Sequence, residues 1–423
     1  MSRIADSTRW HEGAERIDWA RRFMPATAAL TAGLTASGAA RGIRIALSDV
    51  LEPKTAAVAL SLAEAGAEVA VSCVGRDTDD AVAAALVHAG IPVYAFSRAT
   101  DAEDRENVLA LLGHRPEVII DDGSYTIRLA HTARPDVLAG MAGATEQTTS
   151  GVRPLREMAR QGALRIPVVA ANDARTKSLF DNAHGTGQAV VFAVADLLGR
   201  PLAGAHVVVA GFGPVGSGIA RHARALGARV TVSEVDPVAA LQAVFAGHAV
   251  AKLSDAARTA DILISATGIA GTVPSEVLAL LPEDSAVAVG GGVDQEISLE
   301  DAVAGGGEWL TRGKVGVLRL PGGRRIRVLD DGHCINVSAA EGNPIEIMDL
   351  SFGVQLAAVD HLLTHRGALE IAVHELPRAA DDRVAAHALV AFGGGLDTPS
   401  AAQRAFLASW RPRGERDADG DPE

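Results

Sequence analysis

The stretch His206-Val207-Val208-Val209-Ala210-Gly211-Phe212-Gly213-Pro214-Val215-Gly216 decides the fold. A run of strand length enters a Gly-x-Gly-x-x-Gly turn, and a helix-like segment over 215–226 follows it. Gly227 then leads into a second strand-like run, 229–233. Glycines at these positions permit a tight turn and let the backbone approach a pyrophosphate at the helix N-terminus. Glu234 ends the next strand, about 20 residues on, where a carboxylate accepts hydrogen bonds from the adenosine ribose hydroxyls. A 2′-phosphate would be repelled there, and Val235-Asp236-Pro237 supplies no arginine, so NAD is expected rather than NADP. Gly211, Gly213, Pro214, Val215, Gly216 and Glu234 are the cofactor-binding candidates of this unit. Thr267 and Gly268, just after the strand-like 262–265, stand where a loop could touch the nicotinamide half.

Outward from this motif the alternation continues. Strand-like 206–210, 229–233, 262–265 and 286–289 belong to one block, with a hairpin of 315–320 and 324–329 turning at Pro321-Gly322-Gly323. Upstream, strand-length runs at 43–47, 68–71, 92–96 and 118–120 are separated by Ala/Leu-rich helical stretches at 54–65 and 78–88. Gly66 and Gly90 fall where helices end. Such alternation predicts α/β architecture with parallel sheets covered by helices on both faces. A helix-like 345–365, a Gly393-Gly394-Gly395 break and a short helix over 401–410 come last. The charged tail 411–423 has no apolar period and reads as disordered.

Composition narrows the function classes. At about 100–200 residues per domain, the 423 residues make two or three domains. The net charge of −13 argues against binding nucleic acid through its phosphates. Cys73 and Cys334 are the only cysteines, which excludes a disulfide scaffold and a Cys-rich zinc site, and no metal is expected. The sequence has no long uncharged apolar run, and Asp6, Glu12 and Glu15 near its start do not suit a signal peptide, so no membrane role and a cytoplasmic location are expected.

Immediately before the NAD-type unit lie Asn172-Asp173 and Thr176-Lys177-Ser178-Leu179-Phe180-Asp181-Asn182. On a helix, Lys177 and Asp181 share a face. A lysine beside a carboxylate at a domain junction can hold a substrate hydroxyl and take its proton during hydride transfer. The spacing also fits an ordinary solvated ion pair. Asp121-Asp122-Gly123 follows the strand 118–120 at the sheet edge where open α/β sheets bind ligands, or caps a turn there. Glu146-Gln147-Thr148-Thr149-Ser150-Gly151 is a hydroxyl-rich loop that suits a polar ligand or an N-cap.

Taken together, these residues resemble the S-adenosylhomocysteine hydrolase (adenosylhomocysteinase) family along nearly the whole chain. The resemblance runs from Ile17-Asp18-Trp19-Ala20 and Met24-Pro25 through Gly90–Ala95, Asp121–Gly123, Thr148–Val152, Asn172-Asp173, Thr176–Asn182, Gly211–Gly216 and Asn336-Val337 to Phe406–Trp410. It implies two doubly wound parallel-sheet domains: a substrate domain over 1–182 completed by 343–385, an NAD-binding Rossmann domain over 183–342, and a short C-terminal segment, 386–423. Hinges fall near 171–182 and 336–343, with the substrate in the cleft. It further implies a tightly held NAD⁺ that transiently oxidises the 3′ hydroxyl of a nucleoside. A 4′ proton is then removed, the 5′ group eliminated, water added and the ketone reduced. By matching positions, Lys177 would help deprotonate the 3′ hydroxyl, Asp181 would hold the ribose diol, and Asp122 would be the 4′ base or its electrostatic partner. Asn172 would order the cluster, Asn336 would contact the nicotinamide carboxamide, and Thr148, Thr149, Ser150 and Asn182 would contact the NAD. The partner is a small-molecule nucleoside, and the resemblance implies a homo-oligomer, tetramer or dimer. The chain reads as the shorter form, without the Lys- and Tyr-bearing C-terminus of many members.

Departures from the pattern fall on the groups serving the 5′ end and the base, while the oxidation machinery is kept. Val50, Gly292 and Asn343 stand where the family carries histidines, Gln147 replaces a carboxylate, Thr186 a cysteine, and Lys54 lies where the base is read. Imidazoles are the natural proton donors for a leaving thiolate at neutral pH. Three readings stay open: a divergent enzyme acting on a modified nucleoside of specialised metabolism, an orthodox hydrolase using His131, His184 or His333 instead, and a non-catalytic NAD-binding regulator. Only four lysines occur, Lys54, Lys177, Lys252 and Lys314, and two of them fall in these motifs.

Overall fold

The computed structural model describes residues 2–410; the expected disordered tail lies outside the described residues. Two sheets carry the chain. The first holds β1 (Arg44–Ser48), β2 (Glu68–Ser72), β3 (Val93–Tyr94), β4 (Val118–Asp121), β5 (Gly143–Glu146) and β6 (Val168–Ala170). The second holds β7 (His206–Ala210), β8 (Arg229–Ser233), β9 (Ala249–Val250), β10 (Ile262–Ser265), β11 (Ala286–Val289), β12 (Glu308–Thr311), β13 (Val315–Arg319) and β14 (Arg325–Leu329). After it the chain returns to the first sheet and adds β15 (Val373–Glu375) beside β6.

The strand orders are β15-β6-β5-β4-β1-β2-β3 and β12-β13-β14-β11-β10-β7-β8-β9. The first sheet is parallel throughout; the second is parallel from β9 to β14 and closes with the antiparallel hairpin β13–β14 and β12. In both, the winding reverses beside the first strand of the unit, between β1 and β4 and between β7 and β10. Crevices outside the carboxyl ends at such reversals are where open α/β sheets bind ligands.

Burial explains the sequence pattern. Strands covered on both faces read as continuous apolar runs, and every residue of β7 is buried. One face of the first sheet packs under Ile17, Leu34, Val58, Leu86, Phe352 and Val384, the other under Leu111, Ile127 and Leu155. The returning segment is tied in by charge as well as packing. Asp349 accepts the Ala26 and Thr27 N–H groups at 2.8 and 2.7 Å, capping the helix Pro25–Ser37. Asp381, on the helix Arg378–Ala391, accepts the Arg175 and Thr176 N–H groups just ahead of Lys177. That helix continues past residue 385 because Ala388 is buried with Ala26 and Leu350. No helix among the described residues is long and apolar enough to cross a membrane.

Candidate active site

Lys177 ends a single α-turn, Arg175–Lys177, and the chain then winds as a π-helix over Ser178–Thr186. The wider winding sets two side chains against the lysine rather than one. Its Nζ lies 3.0 Å from Asp181 Oδ1 and donates to Asn182 Oδ1 at 2.6 Å. Lys177 and Asp181 are 4% and 5% exposed, so this is no solvated surface pair. The Ser351 hydroxyl donates to the other Asp181 oxygen at 2.6 Å. Asn182 donates to Asn172 Oδ1 and to Thr149 Oγ1, both at 3.3 Å, and Asn172 donates to Asp173. Lys177, Asp181, Asn182, Asn172 and Thr149 thus form one connected polar network, and all but Asn172 line a cavity of about 1310 Å³ between the two sheets.

The two aspartates after β4 part company. Asp121 is fully buried, and its Oδ2 accepts the Ile127 N–H at 2.9 Å in the first turn of the helix Tyr125–Ala133. Asp122 turns into the cavity. Burial pushes the Asp122 carboxyl up to about 6; Lys177 opposes this and the Asp181 and Asp77 carboxylates add to it. Burial likewise carries Asp121 to about 7 and, with the Asp121 and Asp122 charges, holds Glu146 well above the carboxylate range. Glu146 Oε1 accepts the Gly123 and Thr148 N–H groups at 2.9 Å, so it shapes the hydroxyl-rich loop from beneath. Thr148, Thr149 and Ser150 open that loop to the cavity, at the start of the helix Thr149–Arg160.

Opposite stands the glycine turn. Gly211 has φ +95°, a conformation that favours glycine. A Cβ on Gly216 would lie 2.0 Å from the Gly211 carbonyl oxygen, whereas one on Gly213 would meet nothing within 4 Å. The helix Pro214–Ala225 starts here without a side-chain cap, leaving its N–H groups to the cavity that Gly213, Pro214 and Val215 line. An anionic pyrophosphate fits such a cradle. Glu234 Oε2 accepts the Phe212 N–H at 2.6 Å and Oε1 the Val235 and Asp236 N–H groups. The carboxylate therefore braces the glycine turn itself, and three of its about four lone-pair sites are taken by these N–H groups. Thr267 and Gly268 line the cavity from β10, and Asn336 lines it from the helix Ile335–Ser338.

Several functional positions escape a reading of the sequence. Glu296 is completely buried and accepts hydrogen bonds from Ser265 Oγ and from the Thr267 and Gly268 N–H groups at 2.6–2.9 Å, fixing the loop after β10. Ser351, on the returning helix, and Asp49, after β1, also reach the site. Nothing in local spacing marks them; only the register Ser48↔Asp121 brings Asp49 beside Asp122. Lys54 Nζ pairs with Glu52 at 3.1 Å and donates to the Glu341 carbonyl at 3.2 Å, bridging the first sheet's helix to the crossing segment.

The expected histidine substitutes lie elsewhere. His131 spans the Ile127 carbonyl and the Arg165 N–H, His184 meets Arg221, and His333 meets Asp294 at the cleft rim beside Arg76. Among the described residues, no histidine lines the cavity.

The chain is similar to known hydrolases along nearly its whole length. The profile of the S-adenosyl-L-homocysteine hydrolase NAD binding domain matches residues 182–342, and that of S-adenosyl-L-homocysteine hydrolase matches residues 2–136. An S-inosyl-L-homocysteine hydrolase of Methanopyrus kandleri is 39% identical over 96% of this chain and 97% of its own length. An adenosylhomocysteinase of Thermotoga maritima is 38% identical over 94% of this chain and 99% of its own. One of Pyrococcus abyssi is 39% identical over 95% of each.

Proposed function

The chain belongs to the S-adenosyl-L-homocysteine hydrolase family, and on that premise we propose that it transiently oxidises the 3′ hydroxyl of an adenosine-type nucleoside to permit elimination and addition at the 5′ position. The uncapped start of the helix Pro214–Ala225 and the glycine turn before it would hold NAD, which would supply a reversible hydride acceptor. The chain's own residues handle protons and position. Lys177, fixed by Asp181 and Asn182, receives the 3′ hydroxyl proton, and Asp181 orients the diol. Asp122 takes the 4′ proton, which the neighbouring ketone acidifies. Its carboxyl, carried to about 6, is ionised at neutral pH yet basic enough for that task. Closure of the cleft would keep water from the keto intermediate.

The observation that carries this reading is the buried Lys177–Asp181–Asn182 network facing the uncapped helix across one cavity. The same cavity favours a modified nucleoside of specialised metabolism over S-adenosylhomocysteine, because its wall has no imidazole to serve a homocysteine thiolate. The test is to incubate the protein with S-adenosylhomocysteine, S-inosylhomocysteine, adenosine and inosine, following NADH absorbance and thiol release. NADH formation with slow or absent thiol release is expected. Rapid thiol release would make it an orthodox hydrolase, and no NADH with any nucleoside would make it a regulator.

A further inference from the structure

Asp49 follows β1 as Asp122 follows β4. The two strands are hydrogen-bonded neighbours, with Ser48 opposite Asp121 and the Asp122 N–H donating to the Ser48 carbonyl at 2.9 Å. Both carboxyls therefore enter the cavity from the crevice where the first sheet's winding reverses, on strands about 4.8 Å apart. Asp49 is 5% exposed. Its Oδ1 accepts the Val50 N–H at 2.7 Å, which fixes the side chain over position 50, where the family resemblance implies a histidine. Its Oδ2 is buried without a partner. An unpartnered carboxylate oxygen in such a place costs a full desolvation penalty, whereas a carboxylic acid holds a proton that needs an acceptor. Burial and the Asp122 charge, with Glu52 adding, hold Asp49 well above the ordinary carboxylate range against the opposing charge of Lys177.

We propose that Asp49 is the general acid for the 5′ leaving group, replacing the missing imidazole. The inference rests on the proposed function. In the step, Asp122 takes the proton from C4′, the electron pair forms the C4′–C5′ double bond conjugated to the 3′ ketone, and the C5′–X bond breaks with its electrons on X. X takes the Asp49 proton and leaves as HX. In the reverse sense, water adds at C5′, giving its proton to the Asp49 carboxylate, and Asp122 returns a proton to C4′. The spacing suits the task, since the base acts on C4′ and the acid on an atom two bonds away. The mutual repulsion suits it too. When Asp122 becomes neutral on gaining the 4′ proton, the charge that held the proton on Asp49 is gone, and Asp49 yields its own more readily.

Asp49→Asn keeps the acceptor for the Val50 N–H and removes the acid. With a substrate whose leaving group needs a proton, a 5′-hydroxyl nucleoside, elimination should fall about 100-fold or more. With 5′-chloro-5′-deoxyadenosine, whose chloride leaves unprotonated, it should change less than about threefold on the same grounds. NADH formation and solvent deuterium exchange at C4′ should persist in both cases, which also reports a folded, NAD-loaded variant. Equal losses for the two leaving groups, or no loss for either, overturn the proposal. A second measurement needs no variant: in D₂O the wild-type protein should slow more for the hydroxyl leaving group than for chloride, and equal isotope effects overturn it. Wild-type protein that forms no NADH with any nucleoside sinks the functional reading itself, whereas NADH with unaffected Asp49→Asn elimination sinks only this assignment.

Discussion

Lys177 shows how much one residue can carry. Its buried ammonium meets Asp181 and Asn182 at 3.0 and 2.6 Å. A guanidinium is larger, and it cannot be deprotonated at useful pH. Lys177→Arg should therefore bind NAD with little change, measured by cofactor fluorescence, while NADH formation from a nucleoside falls about 100-fold or more. Retained oxidation would remove the lysine from the proton path. This residue was legible because the chain uses arginine for almost every other positive charge and because its motif abuts the glycine turn. Asp49 and Glu296 were not legible, for a physical reason. An aspartate after a strand reads as a turn cap, and a glutamate within Asp294-Gln295-Glu296 reads as a surface charge. Only the fold shows that one enters a cavity and the other is completely buried beneath a loop.

At the scale of elements, the sequence spoke clearly where a period was regular and poorly where it changed. The alternating strands and helices, the β13–β14 hairpin and the turn after β7 follow from apolar runs and glycines. The π winding over Ser178–Thr186 does not, since helical spacing pairs Lys177 with Asp181 and leaves Asn182 on another face. Glycines at the packing contact explain how the winding is accommodated. A Cβ on Gly218 would lie 2.3 Å from the Ala183 carbonyl oxygen, and one on Gly187 would lie 2.6 Å from the Gly218 carbonyl carbon. The helix that begins at the glycine turn therefore lies directly against the backbone that carries Asn182. Gly218→Ala gains helix propensity but must push these backbones apart, at a cost of about 1–3 kcal/mol. Its Tm should drop by several degrees and its NAD affinity weaken, the two seen together by calorimetry with and without cofactor. An unchanged Tm would show that this contact has slack the geometry denies.

At the scale of the molecule, the function lies in how two similar sheets face one another. Each reverses its winding beside its first strand, and both reversals open on the same cavity, one lined with carboxyls and the other with glycines. Concentrating Asp49, Asp121, Asp122 and Glu146 at one sheet edge has a consequence for the stability of the whole chain. In the unfolded chain these groups ionise near pH 4. In the folded protein burial carries Asp122 and Asp121 up to about 6 and 7, and holds Glu146 and Asp49 well above the ordinary carboxylate range. Because the folded pKa values are raised, the stabilisation is fully present below the unfolded values and is lost as pH rises through the folded ones. Histidines such as His131 and His222 oppose this, since burial holds them neutral, but they act only where the unfolded chain protonates them, below about 6.5. Lowered carboxylates such as Asp136 and Glu283 act only at more acid pH still. Between pH 6.5 and 8.5 the buried acids decide the sign, each retained proton contributing a slope of about 1.4 kcal/mol per pH unit. With NAD saturating throughout, because bound ligand raises apparent stability, Tm should fall by several degrees across that window. Asp121→Asn keeps an oxygen to accept the Ile127 N–H and cannot ionise, so its fall should be shallower and its Tm at pH 8.5 higher than wild type. A wild-type Tm that is flat or rises with pH, or an Asp121→Asn curve parallel to it, would mean that the edge where β1 meets β4 holds charges rather than protons.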